Sequence, residues 1–162
     1  MLFRSDQLRR VWQQFDPQER RDPFVAARAA GHAARLGASE EARGWLRPFW
    51  DRFGELGSEE RGAVCDGLVQ AVDGIGVDWL ARLEAAAQAF PRDGAVALAV
   101  GSALAERQLW GKARALVEQA ASDAALPIAA RRKAWLQLAL LATRQGEPDT
   151  AAHCFEAAAR LE

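Results

Sequence analysis

Tyrosine is absent from this chain, methionine occurs once, and histidine and cysteine occur twice each. So small a stock of imidazole and thiol limits metal chemistry. A metal site needs three or four converging ligands, and His32, His153, Cys65 and Cys154 do not fall at ligand spacing. His153 and Cys154 are neighbours, but adjacent residues on a helix point about 100° apart and cannot form a tight dyad. No CxxCH is present, which excludes covalent haem attachment. Two distant cysteines in an alanine-rich helical chain read as small buried residues or free thiols, not as a disulfide framework. They point mildly to a reducing compartment.

Long apolar runs are missing too. A bilayer-crossing helix needs a run of about 18 or more apolar residues, and the opening MLFRSDQLRR has no secretory apolar region. Lysine occurs only at Lys112 and Lys133, the net charge is −1 and the pI is about 6.2. Broad nucleic-acid binding needs a surplus of cations to neutralise phosphates, so this balance argues against it. The arginines read most plainly as surface residues, although guanidinium groups also favour carboxylates, phosphates and aromatic faces. The glycines of GELG, GIG and QG are helix stops, and none follows a strand and opens a helix as a phosphate cradle does. Ser5, Ser39, Ser58, Ser102 and Ser122 have no partnering His/Asp arrangement. No enzyme activity, no catalytic residue and no metal site is therefore expected.

What is present is helical periodicity. Half of the residues are hydrophobic and 27% are charged, a composition that folds. Apolar residues recur at a period of 3.6 nearly throughout, and no segment alternates as a strand does. Helices are predicted over about 5–14, 23–36, 39–53, 58–73, 79–90, 93–106, 109–121, 128–144 and 148–161. Asp22, Ser39, Asp78 and Asp93 are the expected N-caps. Pro23 sits at a first helical position, Gly37 stops a helix, and Pro48 should kink or shorten the helix that contains it.

A repeat underlies the periodicity. In residues 134–155, AWLQLALLATRQGEPDTAAHCF, and just beyond, Trp135, Leu138, Ala139, Gly146, Ala151, Phe155 and Ala158 have the offsets of a tetratricopeptide repeat (TPR), a helix pair of about 34 residues. Small residues at the crossing let the two helices approach, with Ala139 expected to face Ala151. Upstream, Gly101, Leu104, Ala113, Val117 and Ala120 follow the same frame, as do Ala30, Gly37, Ala42 and Leu46. Between them, Gly67, Gly74, Leu83, Ala86 and Pro91 fit, with Trp79 where a small residue is expected and Asp66 where an apolar one is. GASEEA at 37–42 echoes GEPDTA at 146–151.

The fold class expected is all-α: a right-handed superhelical array of antiparallel helix pairs, a TPR-like α-solenoid of about nine helices. It forms one domain over 1–162, with repeats at about 23–59, 60–93, 94–131 and 132–162. Residues 1–22 would be the second helix of a truncated repeat and a joint, as in a piece cut from a longer array. Stacked units share stability with their neighbours, and their first helices line a concave face. The partner-binding groove then comprises Phe24, Arg61, Val64, Leu68, Leu98, Ser102, Lys133, Leu136 and Leu140, with Ala27, Gly31 and Ala95 between them. It is apolar with a thin basic fringe and lacks the Asn of a carboxylate clamp, so it suits an apolar helix or a flat apolar ligand. The groove leucines are equally consistent with packing on missing upstream units. The six tryptophans read as knobs between helices, with one or two as binding contacts. His32 has two readings: a surface or groove histidine, and a haem contact, since imidazole binds iron.

Part of the chain resembles a known family. VDWLARLEAAAQAFPRDGAVALAVGSALAERQLWGKARALVEQA is similar to the C-terminal TPR region of the HemY proteins of proteobacterial haem-biosynthesis operons. The residues that carry the likeness are Trp79-Leu80, Phe90-Pro91, Gly101 and above all Leu109-Trp110-Gly111-Lys112-Ala113; WQQFDPQERRDPFVAARAAGHAARLG also resembles the family. The resemblance implies a non-catalytic scaffold that assists late haem and tetrapyrrole synthesis by gathering biosynthetic enzymes or handling a porphyrin. It implies an N-terminal inner-membrane anchor outside this chain; separately, the unpaired cysteines lean toward the cytoplasmic face for the soluble part. It supplies no catalytic residues. Two alternatives stand beside it: a general TPR adaptor for a helical peptide of another pathway, and a haem- or porphyrin-binding protein that uses His32.

Overall fold

A computed structural model describes residues 2–162, with side chains from Asp6 onward. Among the described residues there are ten α-helices and no strand: α1 (Leu2–Gln14), α2 (Pro17–Arg20), α3 (Pro23–Arg35), α4 (Ser39–Asp51), α5 (Ser58–Gln70), α6 (Leu80–Ala89), α7 (Gly94–Glu106), α8 (Trp110–Ala121), α9 (Ile128–Arg144) and α10 (Pro148–Arg160). Short 3₁₀ turns occupy Phe53–Glu55 and Val77–Trp79. The chain divides into two compact units, residues 1–89 and 90–162.

Nine of these helices answer to the nine expected, and α2 is additional. Its sequence is only PQER, too short to show periodicity, but its start is well built. Asp16 accepts from the Glu19 N–H at 2.9 Å, and the Glu19 carboxylate accepts from the Asp16 N–H at 3.0 Å. This reciprocal pair satisfies two N–H groups that a helix start leaves unpaired. Asp22 and Asp93 cap α3 and α7 as expected, each accepting from two N–H groups of the first turn. Ser39 and Asp78 do not act as caps. The N-cap of α4 is Ala38, with Ser39 at the first helical position. Asp78 lies inside the 3₁₀ turn that precedes α6. The helix containing Pro48 continues past it and ends at Asp51.

One local device recurs three times. At the end of α3 the Ala38 N–H donates to the Ala33 carbonyl at 2.9 Å and the Gly37 N–H to Ala34 at 3.0 Å. At the end of α7, Leu109 donates to Leu104 at 2.9 Å and Gln108 to Ala105 at 3.0 Å. At the end of α9, Glu147 donates to Ala142 at 2.9 Å and Gly146 to Thr143 at 3.2 Å. This is a Schellman closure, which requires a left-handed residue just past the helix. The φ values are +82° at Gly37, +63° at Gln108 and +73° at Gly146. Each closure leads directly into the next helix, whose buried Ala42, Ala113 or Ala151 donates back to the residue that ended the turn. Three helix pairs, α3/α4, α7/α8 and α9/α10, are thus made by one turn chemistry.

Small residues let the pairs close. A Cβ on Gly101 of α7 would lie 2.8 Å from Val117 Cγ2 and 3.3 Å from the Ala113 carbonyl oxygen of α8. Gly67 of α5 lies so close to α3 and α4 that a Cβ there would be 3.4 Å from Ala27 Cα and 3.3 Å from Leu46 Cδ2. Ala139 of α9 and Ala151 of α10 are both buried in a packed pair.

The link from α5 to α6 departs from this pattern. Gly74 has φ +74°, a 3₁₀ turn follows, and Trp79 is almost wholly buried. Trp79 stands edge-on to Trp50 at 6.2 Å, and Trp50 stacks on Phe53 at 4.5 Å. The Arg47 and Arg82 guanidinium groups lie 5.9 and 5.6 Å from the Trp79 ring centre. Trp79 stands where the expected repeat frame has a small residue, and the chain makes a 3₁₀ turn here instead of a Schellman hairpin. The buried Arg43 completes the link by donating to the Ala71 and Asp73 carbonyls at 2.7 and 2.6 Å. Those carbonyls lie just past the end of α5, where backbone acceptors lack helical partners and a cation suits the dipole.

Two predictions test this packing. Gly101→Val should destabilise the chain by about 1–3 kcal/mol through overpacking, whereas Gly111→Ala, where a Cβ meets nothing within 4 Å, should leave it unchanged or raise stability by up to about 1 kcal/mol. Gln108→Gly should stabilise by about 1 kcal/mol, since an L residue pays about 1–2 kcal/mol for the left-handed conformation. Urea unfolding followed by circular dichroism measures both.

Candidate functional site

The expected groove residues separate by burial. Val64 and Leu68 of α5 are fully buried, and Leu98 and Ser102 of α7 nearly so. These four lie in the interior and present no surface in this chain. The reason for Val64 and Leu68 is that α5 packs on both α3 and α4, so its inward face is enclosed. For α7, every residue from Val96 to Leu104 is buried, and no open face remains. Ser102 has an interior role: its hydroxyl donates to the Leu98 carbonyl at 2.6 Å and accepts from Gln137 Nε2 at 2.6 Å, linking α7 to α9. Arg61 is half-buried, and its guanidinium donates to the Leu56 carbonyl at 2.8 Å.

Three expected residues remain on one accessible stripe. Leu136 and Leu140 of α9 are 40% and 57% exposed, and Lys133 is half-buried on the same helix. They are spaced i, i+3 and i+7, so they share a face. Arg144 continues it by four residues and lies over the Trp110 ring at 5.1 Å. Phe24 is also accessible, at 49%. It edges a cleft of about 560 Å³ between α3 and α5 that Arg28, Gly31, Arg35, Asp66 and Gln70 also line. Asp66, out of place for a core position, is exposed here and accepts from Gln70 Nε2 at 2.9 Å.

His32 lies elsewhere, on the wall of a second cleft of about 460 Å³ between α1, α3 and α4. The apolar side comes from Leu8, Val11, Trp12 and Phe15 at α1, Val25 and Ala29 of α3, and Trp45 of α4. Arg28 and Arg35 complete the lining. The cleft exists because α1 is held off the body by side chains. Trp12 stacks on Trp45 with ring centres 4.8 Å apart, Phe15 meets Trp12 edge-on at 5.6 Å, and Arg9 Nε donates to Glu41 at 2.8 Å. Glu41 hydrogen bonding and charge hold the Arg9 guanidinium above its ordinary range. This cleft was outside the expected groove. Its signal was nonetheless in the sequence: Leu8, Val11, Trp12 and Phe15 form an i, i+3, i+4, i+7 stripe, and Arg28, His32 and Arg35 another.

Cys65, Cys154 and His153 lie outside both clefts. Cys65 and Cys154 are buried and not joined in a disulfide; burial pushes the Cys154 thiol up, against the opposing charge of Arg114. Arg114 ties α8 to the start of α10 through Glu147 at 3.1 Å, and hydrogen bonds to Glu147 and Glu118 raise its pKa. His153 stands edge-on to Trp135 at 6.2 Å. Among the described residues, no group of three or more His, Cys, Asp and Glu side chains could hold a metal ion. No helix among them is long and apolar enough to cross a membrane.

Comparison with protein-family models, with curated proteins and with solved structures yields no match.

Trp12→Ala should detach α1. Stacking of this kind is worth about 0.5–1.5 kcal/mol beyond the buried area, and the Arg9–Glu41 link is exposed. Trypsin should then cut at Arg20 and Arg21 at least several-fold faster, while fragments beyond Pro23 stay protected. An unchanged cleavage pattern would show that the stack does not hold α1.

Proposed function

We propose that this chain is a non-catalytic protein-interaction module of TPR-like helix pairs, wound as a right-handed superhelical array. We further propose that it is the TPR region of a HemY-like, inner-membrane-anchored protein that assists late haem and tetrapyrrole synthesis from the cytoplasmic face. The observation that carries the first part is the threefold repetition of one turn with one buried alanine after it. Repeated turns of this kind build helix pairs in series, and helix pairs in series offer an extended surface rather than a single reaction centre.

The second part rests on the resemblance of the segment around Leu109-Trp110-Gly111-Lys112-Ala113. That segment forms the α7–α8 closure, with Leu109 ending the turn and Ala113 buried against α7. The partner surface assigned is the α9 stripe of Lys133, Leu136 and Leu140. Exposed leucines four residues apart suit an apolar helix laid along them, and Lys133 suits acidic residues at its edge. The same stripe supports a second reading, an adaptor for a helical peptide of another pathway.

Affinity capture from proteobacterial membrane extracts separates the two. The chain should retain haem-biosynthesis enzymes, identified by mass spectrometry, and the Leu136→Glu/Leu140→Glu variant should lose them at least tenfold. Equal retention by the variant overturns the stripe as the surface. Loss of other captured proteins, with no haem-pathway enzyme among them, favours the adaptor.

A further inference from the structure

The α1/α3/α4 cleft is a concave site with one chemical character on its wall and another on its rim. Trp12, Phe15 and Trp45 supply aromatic surface, while Arg28, His32 and Arg35 succeed one another at i, i+4 and i+7 along α3. That spacing puts the three nitrogen-bearing side chains on one face, spread over about 10 Å at 1.5 Å per residue. Among the described residues, no acidic side chain lines the cleft. Its volume of about 460 Å³ falls within the 300–1,000 Å³ usual for small-molecule sites, which are apolar with a few placed polar groups. Arg28 and Arg35 are shared with the neighbouring α3/α5 cleft, where Arg35 bonds to Gln70 at 3.2 Å and Asp66 also lies. Arg28 and Arg35 therefore border both clefts, with the Arg35 guanidinium bonded to Gln70 of α5.

We propose that this cleft binds an amphipathic carboxylate, its apolar body against Trp12, Phe15 and Trp45 and its carboxylate on Arg28 and Arg35. Charge complementarity argues for the anion: guanidinium groups pair with carboxylates through two parallel hydrogen bonds, and the lining of this cleft has no acidic residue, Asp66 lying on the α3/α5 side. The aromatic wall argues for the apolar body, because a fully polar anion would leave those rings in contact with water. This site shares no residue with the α9 stripe, so it stands or falls apart from the interaction function proposed for that stripe.

The test uses the full chain and 1-pyrenebutyrate, with energy transfer from tryptophan to pyrene as the readout. Saturable one-to-one binding is expected. The neutral analogue 1-pyrenebutanol should bind about tenfold more weakly, the size of effect expected for a charge-assisted hydrogen bond. Arg28→Met/Arg35→Met should weaken pyrenebutyrate by about the same factor and leave the alcohol unchanged, with helicity checked by circular dichroism. Leu136→Glu/Leu140→Glu should bind the probe as the parent does. Competition by dodecanoate distinguishes the natural source: displacement marks an aliphatic acid, and resistance to displacement marks a planar aromatic acid. Absence of saturable binding, or equal binding of acid and alcohol to the parent chain, overturns the proposal. So does a dimer in sedimentation that excludes the probe, since a second copy would then cover the cleft.

Discussion

The close approach of paired helices governs this structure. Helices joined by a link of a few residues cannot diverge, so whatever lies at their crossing must be small. Gly101 and Ala113 meet that demand in α7/α8, and Ala139 and Ala151 are buried small residues of α9/α10. The Schellman closure sets the exit direction of the chain, and the small residues let the second helix take it. Neither would suffice alone: a correct turn with bulky residues would splay the pair, and small residues without the turn would leave the second helix unplaced.

The α5–α6 link shows the outcome of relaxing this constraint. Trp79 stands where the expected repeat frame has a small residue, and the link there carries a 3₁₀ turn, an aromatic cluster and a buried arginine on backbone carbonyls. A large side chain at a crossing is accommodated by opening the geometry and refilling the space. Burial of Arg43 is tolerable because its guanidinium hydrogen-bonds carbonyls that the helix end leaves short of partners. The irregular link is thus an alternative solution to the same packing demand.

The function proposed for this chain depends on which apolar surface is left uncovered. Four of the nine groove residues expected from the repeat, Val64, Leu68, Leu98 and Ser102, are consumed by packing. Among the surfaces left uncovered are a stripe on α9 and a cleft under α1, with different characters. The stripe runs along one helix and is bordered by Lys133, as a helix-binding surface would be. The cleft is concave, aromatic and edged by guanidinium groups. The two surfaces present different chemistry and suit different kinds of occupant.

The all-helical class, nine helix positions, the caps at Asp22 and Asp93 and the pair closures at Gly37 and Gly146 were all determined by the amino-acid sequence alone. These depend on interactions within a few residues: periodicity, a side chain reaching its own backbone, a glycine free to take positive φ. Gln108 in the same conformation was hidden, because glutamine carries no preference for it and only the surrounding pair imposes it. Which leucines stay exposed was decided by tertiary structure. Leu68 and Leu140 hold the same place in the repeat frame expected from the sequence, yet one is enclosed between two neighbouring helices and the other lies on the open side of its own. The cleft at His32 likewise depends on contacts between residues far apart in the chain, Trp12 with Trp45 and Arg9 with Glu41. Local patterns encode local geometry, whereas exposure depends on what the rest of the chain brings alongside.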